Sequence, residues 1–141
     1  GPWGRPDMAP ILFADAMSNG NPIKVFNYGK MQRDFTYVDD VVEGVKRILK
    51  KPVSDRELYK VYNIGNNDSV NLLDFISEVE ENLGVLAKKN MMPIQPGDVE
   101  KTWANVDELI KDYDYSPNTT LSKGIKEFIN WFKEYNNIEK L

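Results

Sequence analysis

Three short stretches of this chain concentrate side chains able to grip an anion or a polyol. In GPWGRPDM, Pro2, Gly4 and Pro6 restrict the backbone on both sides of Arg5. A guanidinium on a stiff loop suits a carboxylate or a phosphate, because its parallel N–H donors match two oxygens. The competing reading is a surface arginine paired with Asp7. In MQRDFTYVDD, Arg33 stands just ahead of a helix and is interleaved with Phe35 and Tyr37. Alternation along an extended segment sets these three on one side and Asp34 on the other. That pattern reads either as an anion site with an aromatic wall or as a strand edge in which Asp34 is a structural hydrogen-bond acceptor. In IQPGDV, Gln95 and Asp98 flank a Pro-Gly turn. A carboxylate at such a tip can accept two vicinal hydroxyls, as sugars and riboses offer, or it can satisfy nearby backbone donors.

The chemistry left out is as informative. The 141 residues contain no cysteine and no histidine, which removes disulfides, zinc sites built on those ligands, thiol nucleophiles and any Ser-His-Asp arrangement. Neither glycine-rich nucleotide-binding pattern occurs, and there is no Tyr-x-x-x-Lys; Tyr59 and Lys60 are adjacent, the wrong spacing for one helical face. The chain therefore carries ligand-gripping groups without a reaction centre. A net charge of −4 argues against general nucleic-acid binding, and any anionic ligand must be held by discrete cations against an unfavourable field. No apolar run approaches the roughly 18 residues that span a bilayer, and no signal peptide is recognisable, so a soluble cytoplasmic protein is expected. No metal site is expected. Trp103 and Trp131 read as core or interface, and the carboxylates of the terminal helices as solvated faces.

The elements that must position these groups follow from periodicity and end signals. A first helix is predicted in PILFADAMSNG, with Pro10 at its start, Phe13, Ala16 and Met17 on one face and Gly20 at its stop. A short strand follows in PIKVFN. The stretch YVDDVVEGVKRILKK predicts a helix with Val41, Val42, Val45, Ile48 and Leu49 in one stripe, its acidic and basic ends matching the helix dipole. ELYKVYNIGN is a strand candidate ended by Gly65. Leu72, Ile76, Val79 and Leu83 recur at helical spacing between Asn71 as N-cap and Gly84 as stop. KKNMMPI predicts another short strand, and QPGD a turn. Asn105 with Glu108 resembles a capping box, and a last helix from about Thr120 aligns Leu121, Ile125, Phe128, Phe132 and Tyr135. About five helices and three short strands define a helix-rich α/β unit with a small mixed sheet, over residues 1–141 as a single domain. So little strand makes a poor independent sheet, which implies that the unit rests on something larger.

Taken together, GPWGRPDM, MQRDFTYVDDVVEGV, VYNIGN and KNMMPIQPGDV, in this order and spacing, closely resemble the C-terminal half of UDP-glucuronate 4-epimerases, members of the extended short-chain dehydrogenase/reductase family. The resemblance runs over nearly the whole chain. It implies a C-terminal substrate-binding domain whose N-terminal Rossmann domain, with its NAD and its catalytic Tyr-x-x-x-Lys, is absent, with Gly1-Pro2 native sequence rather than a cloning scar. It further implies no catalytic residue and no cofactor in this chain, NAD in a parent enzyme that is a homodimer, and an isolated chain that is inactive.

By the same resemblance the arginine matching Arg5 grips the sugar carboxylate, and that matching Arg33 contacts the pyrophosphate. The aspartate matching Asp98 binds ribose hydroxyls. Backbone groups at Lys24 and Phe26 read the uracil edge, and Asp7 and Met8 lie along the diphosphate. Gln95 stands where galactose-type epimerases have an arginine, leaving one phosphate contact neutral. The implied ligand is UDP-glucuronate or UDP-galacturonate. A UDP-glucuronate decarboxylase lobe, a UDP-glucose 4-epimerase lobe and a stand-alone binding module remain the alternatives.

Overall fold

The computed structural model describes residues 4–51 and 59–138. Five α-helices are joined by short strands: α1 (Ala9–Ser18), β1 (Ile23–Val25), β2 (Gln32–Arg33), α2 (Val38–Lys50), β3 (Val70–Asn71), α3 (Leu72–Leu83), β4 (Lys89–Met91), α4 (Asp107–Tyr113) and α5 (Leu121–Tyr135). The strands form two separate pairs. β1 runs parallel to β4 with Ile23 opposite Lys89 and Val25 opposite Met91, while β2 runs antiparallel to β3. A bridge from Gln32 to Lys101 adds a parallel contact beside β2. The small mixed sheet of the sequence reading is thus a mixed α/β arrangement of two two-stranded pieces.

Local signals account for the helix limits. Proline stands in the first turn of α1, Gly84 closes α3 as a left-handed C-cap, and the Thr120 side chain accepts from the Lys123 N–H to start α5. Two caps differ in detail from expectation. The Asn71 side chain spans between Gln32 and Asp74 instead of capping the backbone. Asn105 Oδ1 accepts from the Asp107 N–H, two residues on rather than the three of a capping box.

The main core lies between α1, α3, α5 and β1, where Ala14, Val25, Phe75, Ile76, Val79 and Ile129 are fully enclosed. Phe35, arriving from the segment after β2, stacks on Phe75 with ring centroids 4.3 Å apart. A second, smaller cluster of Val106, Leu109, Tyr113 and Tyr115 sits under α2 and α4, with Ile48, Tyr62 and Ile64 packed against it.

Two expectations are corrected here. The apolar stripe of α2 faces a core only in part: Ile48 packs on the second cluster, but Val42 is 57% exposed and Leu49 76%, and the fully buried positions are Asp40 and Gly44. The inward face is chosen by what must approach it, since Gly44 admits the Tyr115 ring and Ile64, while the Asp40 carboxylate accepts the N–H groups of Asn118 and Thr119. The second correction concerns ELYKVYNIGN, whose residues 57 and 58 lie outside the described residues. Residues 60–64 alternate between half-buried and exposed as a strand would, yet they join no ladder among the described residues. Tyr, Val and Ile favour a pleated surface, but a strand exists only through its neighbour.

No helix of the described residues is long and apolar enough to cross a membrane. No group of acidic side chains among them is arranged to hold a metal ion.

Candidate functional site

Arg33 is tied to the segment that follows the Gln95–Asp98 turn. After β4 the chain enters the Gln95–Asp98 turn, closed by the Asp98 N–H on the Gln95 carbonyl at 3.1 Å. Pro96 and Gly97, the latter at φ +89°, supply the backbone that such a turn requires. The turn is held by backbone alone. Its Asp98 carboxylate is exposed and takes no hydrogen bond among the described residues, so it points outward as an acceptor.

Beyond the turn the chain runs beside β2: Gln32 N–H donates to the Glu100 carbonyl at 2.7 Å, Thr102 N–H to Gln32, and Asp34 N–H to Thr102. Arg33 Nη1 donates to the carbonyls of Gln32 and Glu100, at 2.8 and 3.2 Å. Its guanidinium is therefore anchored by one nitrogen to the carbonyl two residues beyond Asp98, while Nε and Nη2 take no hydrogen bond among the described residues. Planar donors fixed in this way suit a phosphate better than a freely rotating ammonium would.

Lys24 sits at the open edge of β1, whereas Phe26 lies just past the strand, at the start of a 3-10 turn over Phe26–Gly29, which corrects the expectation that both belong to one strand. Ile23 and Val25 make the bonds to the β4 segment, through Ile23 N–H to Lys88 and Met92 N–H to the Val25 carbonyl. Peptide groups alternate along a strand, so the backbone N–H and C=O of Lys24 face the side away from β4, where no strand is paired among the described residues. An unpaired edge with alternating donor and acceptor matches the edge of a planar heterocycle.

Arg5 and Met8 belong to a neighbouring region. They line a cavity of about 450 Å³ with Phe35, Thr36, Tyr37 and the first turns of α5. Arg5 is engaged by Asp7, Nε donating to Oδ1 at 3.0 Å and Nη2 pairing with Oδ2. The shared hydrogen bond holds the Asp7 carboxyl below its usual range and the guanidinium above its own. Both side chains are exposed, so water competes for the pair and an incoming anion can replace Asp7 at small cost. In the same cavity, burial first and then the charges of Asp39 and Glu127 push the Tyr37 hydroxyl above the ordinary tyrosine range.

A second cavity, of about 400 Å³, is lined by Asp34, Asn63, Thr102, Trp103 and Ala104, and it shares Thr36 with the first. Arg33 and Asp98 line neither cavity. Arg33 is thus bonded to the segment that continues the Gln95–Asp98 turn, Arg5 and Met8 line a cavity, and residues 34–36, which follow Arg33, reach the two cavities.

Of the two readings open at Asp34, the structure displays the acceptor, whose carboxylate takes backbone N–H groups from Asn66, Asn67 and Ala104. Phe35 and Tyr37 share the first cavity, as alternation required, while Arg33 turns instead to the loop after Asp98. Trp131 packs on the main core, but Trp103 is exposed with the Lys101 ammonium 5.1 Å from its ring centre, so of the two expectations for this ring, core or interface, the core one is corrected. Thr36 was not singled out by the sequence. Only its position between two aromatic residues hints at its place between the two cavities.

None of the five helices of the described residues opens on a glycine-rich turn; the residues before them are Met8, Tyr37, Asn71, Val106 and Thr120.

Known proteins share parts of this sequence and this fold. Residues 1–65 match the NAD dependent epimerase/dehydratase family. Over 96% of its length the chain is 48% identical to Protein CapI of Staphylococcus aureus, covering 45% of that protein. It is 37% identical to a probable UDP-glucuronate 4-epimerase of Rhizobium meliloti, with 95% of this chain and 44% of the relative aligned. The fold superposes at a TM-score of 0.86, with 33% identity, on UDP-glucuronic acid 4-epimerase from Bacillus cereus in complex with UDP-glucuronic acid and NAD, covering 96% of this chain and 42% of that one. Over residues 1–65 the chain is similar to the NAD dependent epimerase/dehydratase family, and it shares the mixed α/β fold of the matching part of its solved neighbours. It spans somewhat less than half the length of the curated relatives it matches.

Proposed function

We propose that this chain is the nucleotide-sugar-binding lobe of an NAD-dependent epimerase that interconverts UDP-glucuronate and UDP-galacturonate at C4. The observation that carries the reading is the close superposition, over nearly all of this chain, on an enzyme holding UDP-glucuronic acid.

In this reading the work of the chain is to bind and orient. Nε and Nη2 of Arg33 meet the pyrophosphate, and the outward Asp98 carboxylate accepts the ribose hydroxyls. The backbone at Lys24 and Phe26 reads the uracil, and Gln95 offers a neutral amide beside the phosphates. Asp7 and Met8 lie along the diphosphate, and Arg5 exchanges Asp7 for the carboxylate of the sugar. A UDP-uronate carries about three negative charges, and a protein of net charge −4 must offset them at discrete points. Two guanidinium groups at the two ends of the ligand meet that need. NAD supplies hydride chemistry when bound, and in this reading its site belongs to chain beyond these residues. The exposed stripe of α2 and the unpaired residues 60–64 are the surface on which that chain rests.

The test is product analysis of the full-length protein given UDP-glucuronate and NAD. UDP-galacturonate is the expected product, and the 141-residue chain assayed alongside makes none. Formation of UDP-xylose, or turnover of UDP-glucose alone, overturns the reading in favour of a decarboxylase or a neutral-sugar epimerase.

A further inference from the structure

Asp34 ties together three stretches of chain that are distant in sequence. Its Oδ1 accepts the Asn66 N–H at 3.1 Å and the Thr36 hydroxyl at 3.4 Å, and its Oδ2 accepts the N–H groups of Asn67 and Ala104, each at 3.1 Å. Its own N–H donates to the Thr102 carbonyl at 3.1 Å. Backbone and side chain of one residue thus hold the same segment at two points, 102 and 104. That segment is the direct continuation of the Gln95–Asp98 turn, and the residue before Asp34 is Arg33, itself bonded to Glu100.

The packing leaves no slack behind the clamp. A methyl group added at Gly65 would meet Ala104 Cβ at 2.4 Å and Asp34 Oδ2 at 3.1 Å. The 102–104 segment is therefore pressed between Asp34 and the Gly65 backbone, and it can shift only if the carboxylate lets go.

We propose that Asp34 is a positioning residue for nucleotide-sugar binding: its carboxylate fixes the segment bearing Asp98 against the strand bearing Arg33, and so sets the separation of the two side chains that hold the ligand. The inference rests on the binding roles given above to Arg33 and Asp98. A carboxylate is required because only an acceptor on both oxygens can take donors from both sides; an asparagine of the same shape turns an NH₂ against backbone N–H groups.

The experiment measures UDP affinity of the full-length protein by calorimetry, with melting temperatures and steady-state kinetics alongside. Asp34→Asn is expected to weaken UDP binding about tenfold and to raise KM for UDP-glucuronate more than it lowers kcat. In an Arg33→Ala/Asp98→Ala background the same substitution should change UDP affinity less than twofold, because there is no longer a grip to position. An equal loss in both backgrounds overturns the proposal, as does unchanged affinity accompanied only by a lower melting temperature.

Should Asp34→Asn fail to fold, Gly65→Ala strains the clamp from its other side, and adding Ala104→Gly should restore affinity by removing the 2.4 Å contact. A loss that persists in that pair counts against the proposal. The two levels separate cleanly. If Arg33→Ala/Asp98→Ala leaves UDP affinity unchanged, the site reading fails and the inference with it; if that variant binds poorly while Asp34→Asn binds normally, only the inference fails.

Discussion

The layer of α1, α3 and α5 and the layer of α2, α4 and residues 59–65 bury their apolar groups to different degrees. In the first, Phe75, Ile76, Val79 and Ile129 are enclosed by partners from the same chain, and the helices meet along continuous apolar faces. In the second, Tyr113 and Tyr115 close an inner cluster, but Val42, Val45, Leu49 and Val61 lie on the outside. The second layer is instead pinned by polar contacts: Asp40 to the Asn118 and Thr119 N–H groups, Arg47 to the carbonyls of Tyr113 and Asp114, and Lys60 with Tyr62 to Asp112. One layer is a finished core. The other has the composition of a core and the exposure of a surface. The proposed binding edge lies between the two, with Phe35 rooted in the first layer and Asp34 tied to the second.

Substitutions can break this contrast, beginning where the effect is largest. Phe75→Ala removes the ring that Phe35 stacks on and opens a cavity in the closed layer. It should cost about 3 to 5 kcal/mol in urea unfolding, and a loss under about 1 kcal/mol would mean that this layer is not the principal core. Asp40→Ala strips an acceptor from two backbone N–H groups in the polar-pinned layer and should cost roughly 2 to 4 kcal/mol by the same measurement. If it costs as little as an ordinary surface substitution, the pinning of the second layer by polar contacts is wrong.

A smaller effect is set by pH. Burial, followed by the bond to Asp112, pushes the Tyr62 hydroxyl up to about 12 from its usual 10.0, and the hydrogen bond to Asp112 raises Lys60 as well. Both groups favour the folded state in their protonated form, so their contribution is complete below the ordinary tyrosine and lysine ranges and is lost as pH rises through the folded values. The melting temperature should fall between about pH 10 and 12, and less steeply in Asp112→Asn. Identical alkaline profiles for the two proteins would remove this cluster from the second layer's stability.

The smallest effect in the chain itself is expected at the outer stripe. Leu49→Lys should change the stability of the 141-residue chain by no more than about 0.5 kcal/mol, since the side chain is already in water. The same substitution should destabilise the full-length protein clearly. Equal, small effects in both would show that nothing covers α2.

Much of the fold was legible because its signals are local. Apolar spacing marked α1, α3 and α5, and Thr120 and Gly84 marked two of their ends. Pro96 and Gly97 were enough to specify the turn that presents Asp98. The α2 helix was legible as a helix, but its orientation was not. Its apolar stripe argued for one face while Gly44 and Asp40 decided the other, through Tyr115 and residues 118–119, more than seventy positions away. The 60–64 segment shows the same limit, since its residue types fit a strand and its pairing depends on a partner that the segment does not contain.

By itself the sequence determined the helices, the Asp98 turn and the exclusion of thiol and imidazole chemistry, because each depends on residue type or on contacts within a few positions. Tertiary structure decided which helix faces are buried, that Asp7 occupies Arg5, that Arg33 leans on Glu100, and that Asp34 gathers donors from Asn66, Asn67 and Ala104. Those outcomes turn on which distant backbone groups must be satisfied once water is excluded, and that is settled only when the chain is packed.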